Sequence, residues 1–245
     1  MEKKGIIAMF MVLLGGTAGA QEQEGVITFE TRVNLHRNIP PEREEVKSMM
    51  PEFRTSSEQL FFNQEESLYR TVEDDGEEEE FGGGGIRIRM GGARMETYTH
   101  KTKAQRLTQQ EFMGKNYLIE DTLKIAPWKF GSEIKTILDY ECRQAYYTDE
   151  SEGRKREITA WFTGRIRPFL GPEIFNSLPG TVLAVDINNG ERVIVATGVE
   201  FRPLKKSELK VPGAGTRISR NEFRKLMDVQ QQQMRERGGN VMMRR

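Results

Sequence analysis

Residues 181–201 read TVLAVDINNGERVIVATGVEF, two apolar runs rich in β-branched residues on either side of Asn188-Asn189-Gly190. Val, Ile and Thr pack well on a pleated surface, and Asn-Gly supplies the positive backbone dihedrals of a tight turn, so this stretch predicts a hairpin. Upstream, ITAWFTGRI at 158–166 continues the pattern. METYTHKTKAQRL from Met95 and QQEFMGKNYLIED beyond it read as extended segments, with Gly114 offering the turn between them. Residues 57–72 hold SEQLFFN and SLYRTV around a polar QEE turn, a second hairpin. VITFETRVNLH at 26–36 puts Ile27, Phe29, Thr31, Val33 and Leu35 on one side of a half-buried strand.

The expected fold is mainly β: an antiparallel, strongly curved sheet or open half-barrel of about eight to ten strands in meander order. Three segments break the pattern. Pro40-Pro41 leads into EREEVKSMM, a short helix start that Pro51 stops. GPEIFNSLPG at 171–180 predicts a short helical turn near 171–178, opened near Pro172 and closed before Pro179-Gly180, which returns the chain into TVLAVDI. Ser219 followed three residues later by Glu222 forms a capping box, predicting a helix to Gly238 with Phe223, Leu226, Met227 and Met234 on one partly apolar face. Between Glu73 and Arg94 the composition shifts to EDDGEEEE, FGGGG and IRIRMGG, which reads as a solvated, charged and Gly-rich insertion.

Lys3 and Lys4, an apolar run from Gly5 to Leu14, and Ala18-Gly19-Ala20 form the three parts of a secretory signal, cleaved after Ala20 to leave Gln21 first. The run is about ten residues, whereas a spanning helix needs about twenty. This divides the chain into a signal at 1–20, a single β-rich domain at 21–210 carrying the insertion at 73–94, and a C-terminal helix and tail at 211–245. The mature chain is expected to be soluble, in the periplasm or associated with the outer envelope. Thirty-seven basic residues balance 37 acidic ones, which leaves no nucleic-acid signature. The single cysteine, Cys142, excludes an internal disulfide, so packing must supply the stability.

Cys142 reads as a buried, inert thiol sharing a strand face with Leu138 and Tyr140, since a nucleophilic cysteine needs a base and only His36 and His100 exist. Neither histidine sits in a metal-ligand spacing. The acidic run lacks the alternating ligands of a calcium loop, Met90, Met95, Met242 and Met243 lack a copper-binding repeat, and Gly82–Gly85 lacks the Lys and helix of a phosphate loop. Asp139 and Glu141 are a carboxylate pair with no pocket to tune them. No cofactor or metal is expected and no catalytic residue is named.

Tyr140, Cys142, Gln144-Ala145, Ala160-Trp161-Phe162, Gly171-Pro172, Phe175 and Leu178-Pro179-Gly180 follow one another in an order and spacing that resembles the GLPGLI family of exported bacterial proteins. The family's hexapeptide stands here as Ser177–Val182, and the resemblance extends over residues 26–202. It departs at Gln144, where lysine is usual, at Ser177, where the hexapeptide begins with glycine, and at Thr181-Val182 in place of Leu-Ile. If that glycine holds a positive φ, Ser177 is strained, or the turn is of another kind. The resemblance implies export and a β architecture. The motif residues are read as structural.

Three functions stay open. The first is a noncatalytic binding or interaction module of the envelope, with an outer-membrane transport system as a possible partner. The second is a carrier of a lipid or other apolar ligand lined by Phe29, Tyr140 and Trp161. The third is a histidine- or metal-dependent hydrolase using His36 and His100.

Overall fold

Side chains alternate sides along a strand, so burial of every second residue shows which face of a sheet is covered. In the computed structural model, which describes residues 24–72, 95–150 and 155–242, the first strand β1 (Gly25–Asn34) buries Ile27, Phe29 and Thr31 and exposes Glu30 and Arg32. The succeeding strands are β2 (Phe53–Phe62), β3 (Glu66–Thr71), β4 (Met95–His100), β5 (Gln105–Phe112), β6 (Lys115–Thr122), β7 (Lys129–Ile137), β8 (Tyr140–Asp149), β9 (Arg156–Thr163), β10 (Thr181–Ile187), β11 (Arg192–Phe201) and β12 (Thr216–Ser219), followed by helix α1 (Arg220–Met242). They form one sheet in the order β12-β6-β5-β4-β3-β2-β1-β11-β10-β9-β8-β7, antiparallel except where β12 runs parallel to β6.

Connection length proves the curvature. β6 and β7 lie ten strand intervals apart, about 48 Å across a flat sheet. The six residues 123–128 that join them reach about 25 Å fully extended. The sheet must therefore curl, and across its concave side the Arg106 guanidinium of β5 comes within electrostatic reach of the Tyr147 phenol of β8. The barrel stays open, with β7 and β12 as its edges.

The hairpins form where the turn chemistry predicts. Asn188, Asn189 and Gly190 all take positive φ, and Gly190 donates its amide to Asp186 Oδ1 at 2.6 Å. Met113 and Gly114 take positive φ between β5 and β6. The extended segment read from Met95 is broken at 101–104, where Ala104 has φ of 48° and its amide bonds to the Lys101 carbonyl. Leu138 is not on a strand beside Cys142 as expected. With Asp139 it forms the two-residue turn between β7 and β8, both at positive φ. Pro41–Met49 is 3-10 helix with no buried residue.

The concave core joins Ile27, Phe29, Leu60 and Phe62 with Ile158, Ala160, Val185 and Ile194, and with residues of the long β9–β10 connection. On the convex side, the chain leaving β11 crosses as a strap over 202–215. Leu209 packs on Leu68, Tyr98, Leu107 and Leu118, and the strap is pinned where Arg202 grips Glu208 at 2.7 and 2.9 Å. The strap delivers β12 to the far edge. There α1 folds back onto the concave side, Phe223 meeting Phe112 and Tyr117 edge-on at 5.6 and 5.5 Å. Its capping box is formed, with Glu222 accepting from the Ser219 amide at 2.9 Å and Ser219 Oγ accepting from the Glu222 amide at 3.2 Å. Met227 stays exposed. Among the described residues no helix is long and apolar enough to cross a membrane.

Candidate functional site

The segment 164–180 reads GRIRPFLGPEIFNSLPG, with apolar residues spaced irregularly among Gly and Pro, a pattern that suits neither helix nor strand. It lies across the concave face instead. Ile166, Leu170, Phe175 and Leu178 are buried in the central core. The helical turn expected near 171–178 is a single hydrogen-bonded turn, Phe175 N to the Pro172 carbonyl at 2.9 Å, and it does not continue as helix. Packing is too close for longer side chains at two points. A Cβ on Gly171 would run into the Phe175 carbonyl oxygen, and one on Gly180 into that of Thr163.

Polar contacts fasten this segment to both halves of the sheet. Asn176 Oδ1 accepts from the buried Arg106 at 3.1 Å, and Arg167 donates to the Glu66 carbonyl at 3.0 Å. Arg192 of β11 grips the Glu173 carboxylate with both guanidinium nitrogens. Burial lowers the Arg192 pKa, but Glu173 more than reverses this and holds the charge on. The same burial lowers Arg167 to about 10 and pushes Tyr147 up to about 12. Beside Arg192 lies buried Glu58, which accepts from Thr31 at 2.8 Å and Ser56 at 2.6 Å. Tyr69 is pushed well above the ordinary phenol range by burial, then by Glu173 and Glu58. None of these polar partners was singled out by sequence reading. Their only sequence signal is a charged or amide residue at a position whose alternation points inward, such as Glu58 two residues before Leu60.

Ser177 shows why glycine is not needed there. Its backbone is not in the positive-φ region, and its Oγ accepts from the Ala126 amide at 3.1 Å and Trp128 Nε1 at 3.0 Å. The hydroxyl thus ties the motif to the 123–128 connection that bridges the opening.

The other motif residues are dispersed through this framework. Tyr140 opens β8 half-buried, while Cys142 is wholly buried, its thiol pushed up to about 11 by burial. Trp161 is buried beneath the Lys135 ammonium, 3.7 Å from the ring centre. Pro179 is exposed at the rim. His36 follows β1 and meets the Met50 carbonyl at 3.1 Å, whereas His100 ends β4 opposite Glu66. β2 spans its ten residues between them, Phe53 near His36 and Phe62 near Glu66, so the histidines sit at opposite ends of the sheet, about 30 Å apart. Asp139 is in the turn and Glu141 on β8. No group of three His, Cys, Asp or Glu able to hold a metal occurs among the described residues. Met95 opens β4 and Met242 ends α1. Ala20, the acidic run, Gly82–Gly85, Met90 and Met243 lie outside the described residues.

A cleft opens at the end of the sheet beside the SLPG element. It is lined by Phe130, Arg143, Glu141, Phe162, Arg165 and Pro179, among others, with the Phe130 and Phe162 rings 6.0 Å apart. Its outer wall is β7, where pairing to β8 slips between Phe130 and Ile134. Those two side chains are 63% and 61% exposed, unusual for large apolar residues on a strand.

No protein-family model matches the chain, and no curated protein does. Among solved structures, the chain is similar to PNGF-II in its P21 crystal form, with a TM-score of 0.56 and 16% identity over 83% of this chain and 33% of that one. The C2 crystal form gives 0.55 and 16% over 81% and 31%. The likeness is one of fold, and the chain spans about a third of PNGF-II.

Proposed function

We propose that this protein is an exported, noncatalytic module of the bacterial envelope that works by binding a partner. One observation carries the reading: the concave face, where a half-barrel would hold a ligand or a catalytic group, is occupied by the chain's own 164–180 segment. Carriage of an apolar ligand would require that segment to leave, because Phe29 belongs to the same packed core as Leu170, Phe175 and Leu178, while Trp161, paired with Ala184 and Gln144, faces the other side of the sheet from the concave lining expected of it. A histidine-dependent hydrolase would need to use His36 and His100 separately. Membership of the GLPGLI family is part of the proposal, supported by Gly171, Phe175 and Leu178 of the motif lying in the one segment that fills the concave face. The partner could belong to an outer-membrane transport system.

The test is to express the chain with its own first twenty residues, purify it from the periplasm, and compare native with denaturing mass spectra. A bare polypeptide beginning at Gln21 is expected. A discrete extra mass lost on denaturation would replace this reading with that of a carrier, and a chain retaining Met1 would remove export by signal cleavage.

A further inference from the structure

A strand at the edge of a sheet presents backbone N–H and C=O groups to whatever approaches, and proteins commonly guard such edges with charge, twist or cover. The two edges here differ. β12 is four residues long and is followed at once by α1. β7 has nine residues, is exposed over most of its length, and has one neighbour among the described residues.

We infer that β7 and the cleft beside it accept an extended, acidic and apolar segment of a partner protein as a thirteenth strand. The inference rests on the reading of the protein as an interaction module. Strand addition draws affinity from main-chain hydrogen bonds and specificity from pockets that receive alternate side chains. Both parts are present. Phe130 and Ile134 project from the same face of β7, as their partners Ala145 and Arg143 share a face of β8. The Phe130–Phe162 surface can receive an apolar side chain.

Charge selects the occupant. Lys129 and Lys135 of β7 and Arg143 and Arg165 of the cleft stand against Glu133 and Glu141. A second copy pairing edge to edge would bring together two strands of net positive charge, Lys129 and Lys135 against the single Glu133, so it gains less from charge than an acidic strand does. An acidic strand would meet opposite charge. At 131–133 the pairing to β8 is interrupted, and Gln144 lies against Gly131, where a Cβ would collide with its side-chain amide.

The probe is an acetylated, fluorescein-labelled nonapeptide alternating glutamate with valine and carrying a central phenylalanine, paired with a version in which lysine replaces every glutamate. Anisotropy titration of the full chain at low salt should show saturable binding of the acidic peptide, and at least tenfold weaker binding of the lysine peptide. Phe130→Glu and Arg143→Glu, both at exposed positions and so compatible with folding, should each weaken binding by about tenfold or more, near 1.4 kcal/mol. Amide exchange should slow along 130–137 when the acidic peptide is bound, and not along β12.

Absence of binding, equal affinity for the two peptides, affinity unchanged in both variants, or protection on β12 would overturn the inference. So would protection of β7 that rises with protein concentration without peptide, which would identify a second copy. A bare native mass together with any of these leaves the module reading standing without this edge, whereas a released ligand mass removes the module reading itself.

Discussion

Burial at one side chain and hydrogen bonding at another each set a measurable property of the protein. Cys142 has no exposed surface, and burial raises its thiol from 9.0 to about 11. A thiolate is the reactive form, so the folded protein should resist iodoacetamide at pH 8 and be alkylated rapidly once denatured, as a mass shift would show. The linkage has a definite sign: an acid whose pKa is higher folded than unfolded favours folding less as pH rises, so this contribution is lost from about pH 9 through about 11. Fast labelling of native protein would place the thiol at the surface. Ser177 is the second case. Replacing it by glycine, the residue the hexapeptide leads with in the family it resembles, removes the acceptor for the Ala126 amide and Trp128 Nε1. The cost should be about 1–3 kcal/mol in urea denaturation, and an unchanged midpoint would show that solvent satisfies both donors. Sequence reading marks Ser177 as a departure. It cannot supply the reason, because the partners come from a loop fifty residues upstream.

Among elements, the β7–β8 hairpin has a turn that runs against its sequence at both of its residues. Leu138 and Asp139 hold φ of 49° and 63°, a region that costs an L-residue about 1–2 kcal/mol and that Asn-Gly occupies far more readily. Leu138→Asn with Asp139→Gly should therefore raise stability by about 1 kcal/mol, provided the exposed Leu138 side chain contributes little packing. A fall in Tm would show that it does. The contrast with Asn188-Asn189-Gly190 explains what was legible. Where the turn residues have intrinsic preference for the geometry, the hairpin can be read from the chain. Where long-range pairing imposes the geometry on Leu-Asp, it cannot, and Leu138 is misassigned to a strand face. The C-terminal helix falls on the legible side, since Ser219 and Glu222 satisfy each other locally. Hydrogen bonding to Ser219 holds the Glu222 carboxyl below its usual range, so the cap contributes above the ordinary glutamate pKa and fades as pH falls through the lowered one. Ser219→Ala should remove about 1 kcal/mol and increase amide exchange in the first turn of α1. The parallel four-residue β12 was illegible for the opposite reason. Thr216–Ser219 has one apolar residue, and it becomes a strand only because the strap delivers it beside β6.

For the molecule as a whole, the decisive feature is that a segment looking like a loop in sequence is its central packing element. Alternation predicts the sheet, but a simple meander would set β7 beside β6, and the observed order, with β1 against β11, is what makes the short β6–β7 connection curl it. Neither alternation nor strand order says what fills the hollow, because the buried residues of 164–180 follow no period. The filling links two halves that are distant in strand order: Asn176 takes the Arg106 guanidinium of β5, while Leu170, Phe175 and Leu178 pack with β9 and β10. Both tryptophans, Trp128 and Trp161, report on the β7–β9 half, whereas far-UV dichroism reports on the whole sheet. If the segment couples the halves, fluorescence and dichroism should trace one coincident urea transition. Asn176→Leu then supplies the test. It leaves the buried Arg106 charge of β5 without its amide acceptor, at a cost of about 2–3 kcal/mol; Trp128 bonds to the neighbouring Ser177, so the remote reporter is Trp161 on β9. In a coupled molecule the fluorescence midpoint must fall by as much as the dichroism midpoint. A fluorescence transition that stays in place while the dichroism splits into two steps would mean that the halves fold independently, and that the 164–180 segment belongs to one of them alone.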